Sequence, residues 1–229
     1  MVELIEWPTD FLRWTYGRLF IKNTSRSAGV AMNGVRQIIA PKTQVWNLSI
    51  TIPVDGDETR IKQFEALVSE MDGQYNVANV PIVDRYRYGV DVAPWQYPFD
   101  DGQWFDDGTG YSDGTGGTQP LVTSAPASAG DTSLYVDLTN PVRPSMRVGD
   151  TFSRSGFLYR VVARNNAGWM KLKPALRADI PAGATLITNP PRFYCRFASD
   201  EEGARGRDAI SFGESITLNL VEAFDRSFT

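Results

Sequence analysis

Four short segments rich in β-branched and aromatic residues follow one another closely between residues 132 and 189, and their spacing favours an all-β fold for this part of the chain. The segments cover residues 132–138, 156–164, 168–174 and 183–189. Turn-forming runs such as NNAG and ADIPAG separate them, as in compact sandwiches and barrels. We therefore expect a small all-β domain, a barrel or a sandwich, over residues 118–191.

A longer strand is predicted nearer the N-terminus, where Gln44–Ile52 alternate between apolar and polar residues. The alternation places four apolar side chains on a common face: Trp46, Leu48, Ile50 and Ile52. A period of two indicates a half-buried strand. Residues 214–224 have a similar pattern, with Ile216, Leu218 and Leu220 on one face, so the C-terminal part of the chain is also expected to supply a strand.

One helix is predicted, at residues 58–72. Its apolar residues recur at helical spacing, at Ile61, Phe64, Leu67, Val68 and Met71. Asp57 stands where a side chain can cap the first turn, and Gly73 where a left-handed residue can end the helix. The β-branched and aromatic residues that follow, at 74–90, predict an extended segment.

The order of these elements predicts one domain inserted into another. Residues 1–98 and 192–229 would form a host domain with the helix, and residues 118–191 would form the inserted domain. The acidic, glycine-rich residues 99–117 would connect the two. Chain ends commonly meet within one domain, which tolerates such an excursion at its surface. The predicted fold class is mainly β with one α-helix.

The connecting residues 99–117 repeat the pair Asp-Gly three times, starting at Asp101, Asp107 and Asp113. Clustered carboxylates on a flexible backbone suit calcium, but this spacing matches neither an EF-hand loop nor the nonapeptide calcium repeat. Asp-Gly is itself a strong turn former. We therefore predict an ordered loop of three turns, with a calcium site as the alternative, and assign no metal-ligating residue.

Composition argues against several kinds of chemistry. The chain has no His and a single cysteine, Cys195. The usual Ser-His and Cys-His nucleophile pairs, a thiolate-rich zinc site and an internal disulfide are therefore excluded. Since no cofactor-binding loop is recognised either, no catalytic, cofactor-binding or metal-ligating residue is predicted.

The formal net charge of −4 comes from one segment, because residues 91–117 contain six Asp and no Lys or Arg. Without a basic stripe, sequence-specific binding of nucleic acid is not expected. The N-terminal residues lack the pattern of a signal peptide, and no uncharged run is long enough to span a bilayer. We therefore expect synthesis in a cytosol and no membrane insertion.

Three parts of the chain resemble a known family. Residues 28–84, from AGVAMNGV to NVPIVD, are similar to the N-terminal part of distal tail proteins of bacteriophages with long, non-contractile tails. Residues 129–191, with GDTF, LYRV and a closing NPP, resemble a β module of siphophage tail proteins. The final run ESITLNLVEAFDR is similar to the strand that returns to the first domain.

This resemblance implies a β-sandwich-like, ring-forming domain that carries a small inserted β domain. It implies a virion structural protein rather than an enzyme, made in the cytoplasm of the host bacterium. Such proteins form a ring, usually a hexamer, at the distal end of the tail around the DNA channel. The partners would be further copies of the chain, the tail tube protein and the proteins of the tail hub or tip. The resemblance does not assign a functional-site residue to any position of this sequence.

The residues expected to make contacts lie in or near the acidic segment. Five aromatic residues outside the periodic core patterns are candidates for an interface with a neighbouring subunit: Trp95, Tyr97, Trp104, Phe105 and Tyr111. Four acidic residues are candidates for the channel wall: Asp100, Asp101, Asp106 and Asp107. Their negative charge would keep passing DNA from binding to the wall.

Other functions fit some of the same residues. A tail tube, terminator or hub-associated protein would belong to the same structural class. A carbohydrate-binding module would use Trp95, Tyr97 and Trp104 to stack on host surface glycans. A hydrolase that relies on acidic residues alone is a third alternative. The charged residues 199–208 are interpreted as an exposed connection, with contact to a partner chain as the alternative.

Overall fold

The computed structural model of the chain describes residues 2–8, 16–30, 32–34, 36–39, 43–82, 96–97, 111–112, 120–138, 146–188, 190–204, 206 and 214–224. These residues form strands in several sheets and one helix. The prediction of a mainly β fold with one α-helix is confirmed.

The elements fall in the following order along the chain. The first six strands and the helix are β1 (Leu4–Glu6), β2 (Tyr16–Asn23), β3 (Arg26–Val30), β4 (Arg36–Ile39), β5 (Gln44–Ile52), α1 (Glu58–Glu70) and β6 (Val77–Pro81). The next six strands are β7 (Gln96–Tyr97), β8 (Tyr111–Ser112), β9 (Leu121–Val122), β10 (Ser133–Tyr135), β11 (Thr151–Arg154) and β12 (Phe157–Arg164). The last four are β13 (Trp169–Lys173), β14 (Thr185–Leu186), β15 (Arg192–Phe197) and β16 (Ile216–Glu222).

The chain divides into two compact units. Met1–Pro81 and Phe193–Thr229 form the first unit, and Ile82–Arg192 form the second. Within the second unit the incoming and outgoing segments are adjacent, because the Ile82 N–H donates to the Pro191 carbonyl at 2.7 Å. The predicted acidic connection, residues 99–117, lies outside the described residues except for β8.

The first unit contains a six-stranded sheet in the order β1-β6-β15-β16-β5-β2. β5 pairs antiparallel with both β16 and β2, whereas β1 runs parallel to β6. The predicted face of β5 is buried, with Trp46, Leu48, Ile50 and Ile52 each 5% exposed or less. Leu218 and Leu220 of β16 are paired with Ile50 and Leu48 and are also buried. The alternating pattern in these two strands thus correctly predicted the core face of the sheet.

The helix α1 starts where the sequence predicted, because Asp57 caps it. One carboxylate oxygen of Asp57 accepts the N–H of Thr59 at 2.9 Å and that of Arg60 at 3.4 Å. These are two of the N–H groups that a helix start cannot satisfy internally. The predicted apolar stripe contributes to the core through Ile61, Phe64, Leu67 and Met71, which are all buried.

The helix ends at Glu70, two residues before the predicted end. Asp72 and Gly73 both adopt a positive φ, of 46° and 63°, so the chain leaves the helical path before Gly73 is reached. Gly73 has the left-handed conformation that was predicted for it. A side chain there would also collide with Asp200, whose Oδ1 atom lies 2.7 Å from the position of an added Cβ.

The second unit has its own sheets and its own core. Its larger sheet has the order β10-β13-β12-β11, and β14 pairs with β9 in a separate two-stranded sheet. Fourteen buried side chains of its described residues form one apolar cluster, among them Leu134, Phe152, Tyr159 and Leu172. The buried Tyr159 keeps a hydrogen bond in this core, because its hydroxyl accepts the Arg177 N–H at 3.0 Å.

The predicted strands of this unit are present, but two are shorter than expected. Residues 132–138 yield only Ser133–Tyr135, and residues 183–189 yield only Thr185–Leu186. The short strands β7, β8 and β9 and the longer strand β11 were not predicted as separate segments. The strand β11 follows a predicted turn-forming run. It pairs with β12 through a two-residue turn at Ser155 and Gly156, which have φ values of 51° and 72°. Two positive φ values give the turn the twist that a tight hairpin needs.

Candidate assembly surface

The strands β3 and β4 form a two-stranded ribbon outside the six-stranded sheet. They continue the pairing of β2 with β5, whose register reaches Asn23 opposite Gln44. At this junction the Gln44 side-chain amide donates to Asn23 Oδ1 at 2.7 Å, and the Thr24 hydroxyl donates to the Thr43 carbonyl at 2.8 Å. The ribbon is therefore the far end of one long hairpin that extends beyond the sheet.

Two glycines shape this ribbon. The register of β3 and β4 shifts between Ser27 and Val30, and Gly29 in this bulge has a φ of 94°. Gly34, which follows Asn33 at the turn, has a φ of 79°. Both conformations favour glycine, and Asn-Gly is a common hairpin turn pair. The local sequence thus specifies a bulged hairpin.

The ribbon exposes apolar side chains on both of its faces. Val30, Ile38 and Ile39 are 65%, 62% and 53% exposed, and Met32 is fully exposed. Ile38 and Ile39 are neighbours in one strand, so their side chains point to opposite faces. Neither face is covered by the described residues. We call β3, β4 and the described residues of their turn, Met32 to Gly34, the apolar ribbon.

The strand β2, from which the ribbon extends, is the last strand at one edge of the six-stranded sheet as described. Its outward-facing side chains include Arg18 and Phe20, with the guanidinium 5.0 Å from the centre of the Phe20 ring. A long edge strand offers backbone donors and acceptors to another chain. The edge and the ribbon together make a continuous surface that is suited to association.

At the opposite edge of the sheet, β1 and α1 line a groove of about 350 Å³. Eight residues line it: Leu4, Ile5, Glu6, Pro8, Gln63, Ala66, Leu67 and Glu70. The lining combines five apolar residues with Gln63 and two carboxylates, Glu6 and Glu70. We call it the α1–β1 groove.

Most of the residues that the sequence predicted for contacts fall outside the described residues. These are Trp95, Trp104 and Phe105 of the aromatic set, and Asp100, Asp101, Asp106 and Asp107 of the acidic set. For Tyr97 and Tyr111 only the backbone is described: they are paired antiparallel in β7 and β8. This pairing places Tyr97 and Tyr111 opposite each other; the predicted loop of Asp-Gly turns lies outside the described residues and stays a prediction.

The charged residues 199–208 are only partly described, and two of their carboxylates make structural contacts. Asp200 Oδ1 accepts the Gln74 N–H at 3.1 Å, just after the helix. Glu202 binds Asn219 of β16 twice, accepting its backbone N–H at 2.9 Å and its side-chain amide at 3.1 Å. The interpretation as a simple exposed connection is therefore incomplete, because these acids link the loop to the turn after α1 and to β16.

Cys195 lies in the core of the first unit. It is a free thiol with no exposed surface, and its Sγ is 3.7 Å from the Ala78 carbonyl oxygen, to which it can donate. Burial raises the pKa of this thiol far above its ordinary value. Since the thiolate is the reactive form, this cysteine is held in an unreactive state.

Among the described residues, no group of three or more Cys, Asp and Glu side chains is arranged to hold a metal ion. No helix in this part of the chain combines the length and the apolar composition needed to cross a membrane. No protein family matches the chain, and no curated protein is significantly similar to it in sequence.

Sequence reasoning missed the apolar ribbon. Its strands break the alternation of apolar and polar residues, since Ile38 and Ile39 are adjacent and no polar face results. The signal that could have identified it is Asn33-Gly34, a hairpin turn with apolar residues on both sides. A hairpin without a polar face is typical of a segment that is covered by something else.

Proposed function

We propose that the chain is a structural component of a phage tail that assembles into an oligomeric ring through its first unit. The observation that carries the proposal is the apolar ribbon, which leaves the sheet with both of its faces uncovered by the described residues. Burying one aliphatic side chain of this kind is worth about 1.5–3 kcal/mol. Four such side chains on one hairpin therefore favour association.

The positions of the two surfaces at opposite edges of the sheet support a ring rather than a symmetric dimer. The apolar ribbon extends from the β2 edge, while the α1–β1 groove lies at the β1 edge. A chain with different contact surfaces at its two edges associates head to tail, and such contacts close into rings when the rotation between neighbours allows it. The ring we propose is hexameric.

The resemblance of residues 28–84 and 129–191 to tail proteins suggests where this ring would stand. We place it at the distal end of the tail, between the tail tube and the hub or tip proteins, around the channel through which DNA passes. The chain would be a virion protein without catalytic activity. The acidic residues Asp100, Asp101, Asp106 and Asp107 would face the channel.

The position can be tested with gold-labelled antibodies against the purified chain, applied to phage particles from a host that carries this gene. We expect label only at the tail end opposite the capsid, at one site per particle. The matched control is an antibody against the major tail tube protein, which should label the whole length of the tail. Label along the tube or on the capsid, or no label on intact particles, would contradict the proposal.

A further inference from the structure

Charge is segregated within the first unit. Residues 16–54, which include the apolar ribbon and the β2 edge, contain no Asp or Glu and five cations: Arg18, Lys22, Arg26, Arg36 and Lys42. Arg26 and Arg36 belong to the ribbon itself, one on each strand. The ribbon is therefore apolar and basic at once.

Acids prevail instead in α1 and β1, the two elements that line the groove. Residues 55–72 contain six acids and two bases, and Glu3 and Glu6 flank or belong to β1. The two bases, Arg60 and Lys62, are paired within the helix region, Arg60 with Asp55 and Asp57 and Lys62 with Glu58. The α1–β1 groove itself is lined by Glu6 and Glu70 and by no Lys or Arg.

The two surfaces match in chemistry as well as in charge. The floor and walls of the groove include Leu4, Pro8 and Ala66, and the ribbon presents Met32 at its turn. Methionine is flexible and fills irregular apolar gaps well. Cations beside apolar side chains on the ribbon meet carboxylates beside apolar side chains in the groove, which is the complementarity that selects a partner and its orientation.

We propose that the apolar ribbon of one chain docks into the α1–β1 groove of a second copy of this chain. Met32 enters the groove, and Arg36 lies near Glu70 of the neighbour. Because ribbon and groove lie at opposite edges of one sheet, every copy uses both surfaces, each with a different neighbour. The inference deepens the proposed function and rests on it, since it names the contact through which the ring is built.

The contact can be tested by disulfide trapping between two differently substituted chains. One full-length chain carries Met32→Cys and the other Ala66→Cys, a substitution at an exposed helix position that lines the groove. Any disulfide between the two is intermolecular. The native Cys195 is buried and does not compete while the chain is folded. Mixing under mild oxidation should give a disulfide-linked pair of one chain of each kind.

Two controls define the specificity. Thr217→Cys places a thiol on an exposed position of the same sheet, away from the groove. The Thr217→Cys chain should form a disulfide with the Met32→Cys chain at no more than about a tenth of the rate of the Ala66→Cys chain. The reason is that the effective concentration of the two thiols depends on the geometry of the contact. Met32→Cys alone should give few homodimers. A faster Met32-to-Met32 link would mean that the ribbons pair with each other, and would overturn the proposal.

Charge exchange gives a second measurement. Arg36→Glu should weaken self-association about tenfold, and Glu70→Arg in the same chain should restore it, because the attractive pair is rebuilt with reversed signs. Lys171→Glu, at an exposed position in the second unit, makes the same change in net charge and should have no effect. If Arg36→Glu is not rescued by Glu70→Arg, the assigned pairing is wrong.

The outcomes separate this inference from the proposed function. Rings without the Met32–Ala66 link would overturn the ribbon-to-groove contact and leave the ring itself intact. A disulfide between positions 32 and 66 without visible rings would support the ribbon-to-groove contact and contradict the proposed ring. If the chain stays monomeric and no link forms even at the highest concentration it tolerates, both proposals fail.

Discussion

Two buried polar residues show how single side chains fix the strand ends of the first unit. The Glu222 carboxylate accepts the Trp46 N–H at 3.0 Å, one step beyond the last pair of the β16–β5 register, Val221 and Asn47. Asn76 accepts the Glu3 N–H at 3.0 Å and donates to the Glu70 carbonyl at 2.8 Å. Asn76 thus supplies a hydrogen-bond donor to a carbonyl at the end of α1 that has no donor within the helix. It also holds the chain before β1 beside the end of the helix.

The buried Cys195 gives a prediction at the same scale. In the folded chain, a thiol reagent should react with Cys195 only when the sheet opens, so the labelling rate should follow the unfolding equilibrium. Thr217→Cys, an exposed position in the neighbouring strand β16, is the control and should react at once. Rapid reaction of Cys195 in the native wild-type chain would show that this part of the sheet is not closed.

The same thiol makes stability depend on alkaline pH. Its pKa is raised in the folded chain, so the unfolded chain loses the proton first, near pH 9, while the folded chain keeps it. The folded state then binds more protons, and the free energy of unfolding falls as pH rises above about 9. Urea denaturation at several pH values between 7 and 10 should show that the free energy of unfolding falls less steeply with pH for Cys195→Ala than for the wild type.

At the scale of elements, the cap of α1 can be tested directly. Asp57→Ala removes the acceptor of the Thr59 and Arg60 N–H groups and should lower the free energy of unfolding by about 1 kcal/mol. Asp57→Asn keeps an acceptor of the same shape and should cost less. Both values come from urea denaturation. Equal losses in the two variants would show that charge, and not the capping hydrogen bond, is the important term.

Elements with a clear period were predictable from the sequence, and elements set by tertiary contacts were not. β5 was predicted residue for residue because one face is buried and the other is polar. Gly156 was assigned to a strand, but it forms a turn with Ser155, since two residues between β11 and β12 suffice for a hairpin. β14 is short because Thr185 and Leu186 pair with β9, whereas the next residue, Ile187, forms a single bridge with Ser153 of β11.

The candidate surface was harder to predict than the fold. The aromatic and acidic residues around the Asp-Gly turns were chosen because they fit no core pattern, and their role stays a prediction. The apolar ribbon was overlooked because exposure cannot be read from a segment alone. In the sequence, Ile38 and Ile39 look like ordinary strand residues. They are unusual because their side chains are exposed and no described residue covers them.

At the scale of the whole molecule, the two units should respond separately to core mutations. Leu172→Ala, in the core of the second unit, and Ile50→Ala, in the first, each remove a fully buried side chain and should cost about 2–5 kcal/mol. Cys195 belongs to the first unit, so Ile50→Ala should speed its labelling and Leu172→Ala should not. Equal acceleration by both variants would mean that the units unfold together.

The central claim is that the first unit assembles through the apolar ribbon. The most direct test is to measure the mass of the purified chain by light scattering after gel filtration. Negative-stain images of the same peak would show whether the assembly is a ring. We predict a closed ring of about six chains of 25.5 kDa for the wild type. Ile38→Asp should give monomers, whereas Val148→Asp, at a similarly exposed position of the second unit, should keep the ring. A monomeric wild type, or rings that survive Ile38→Asp, would contradict the account.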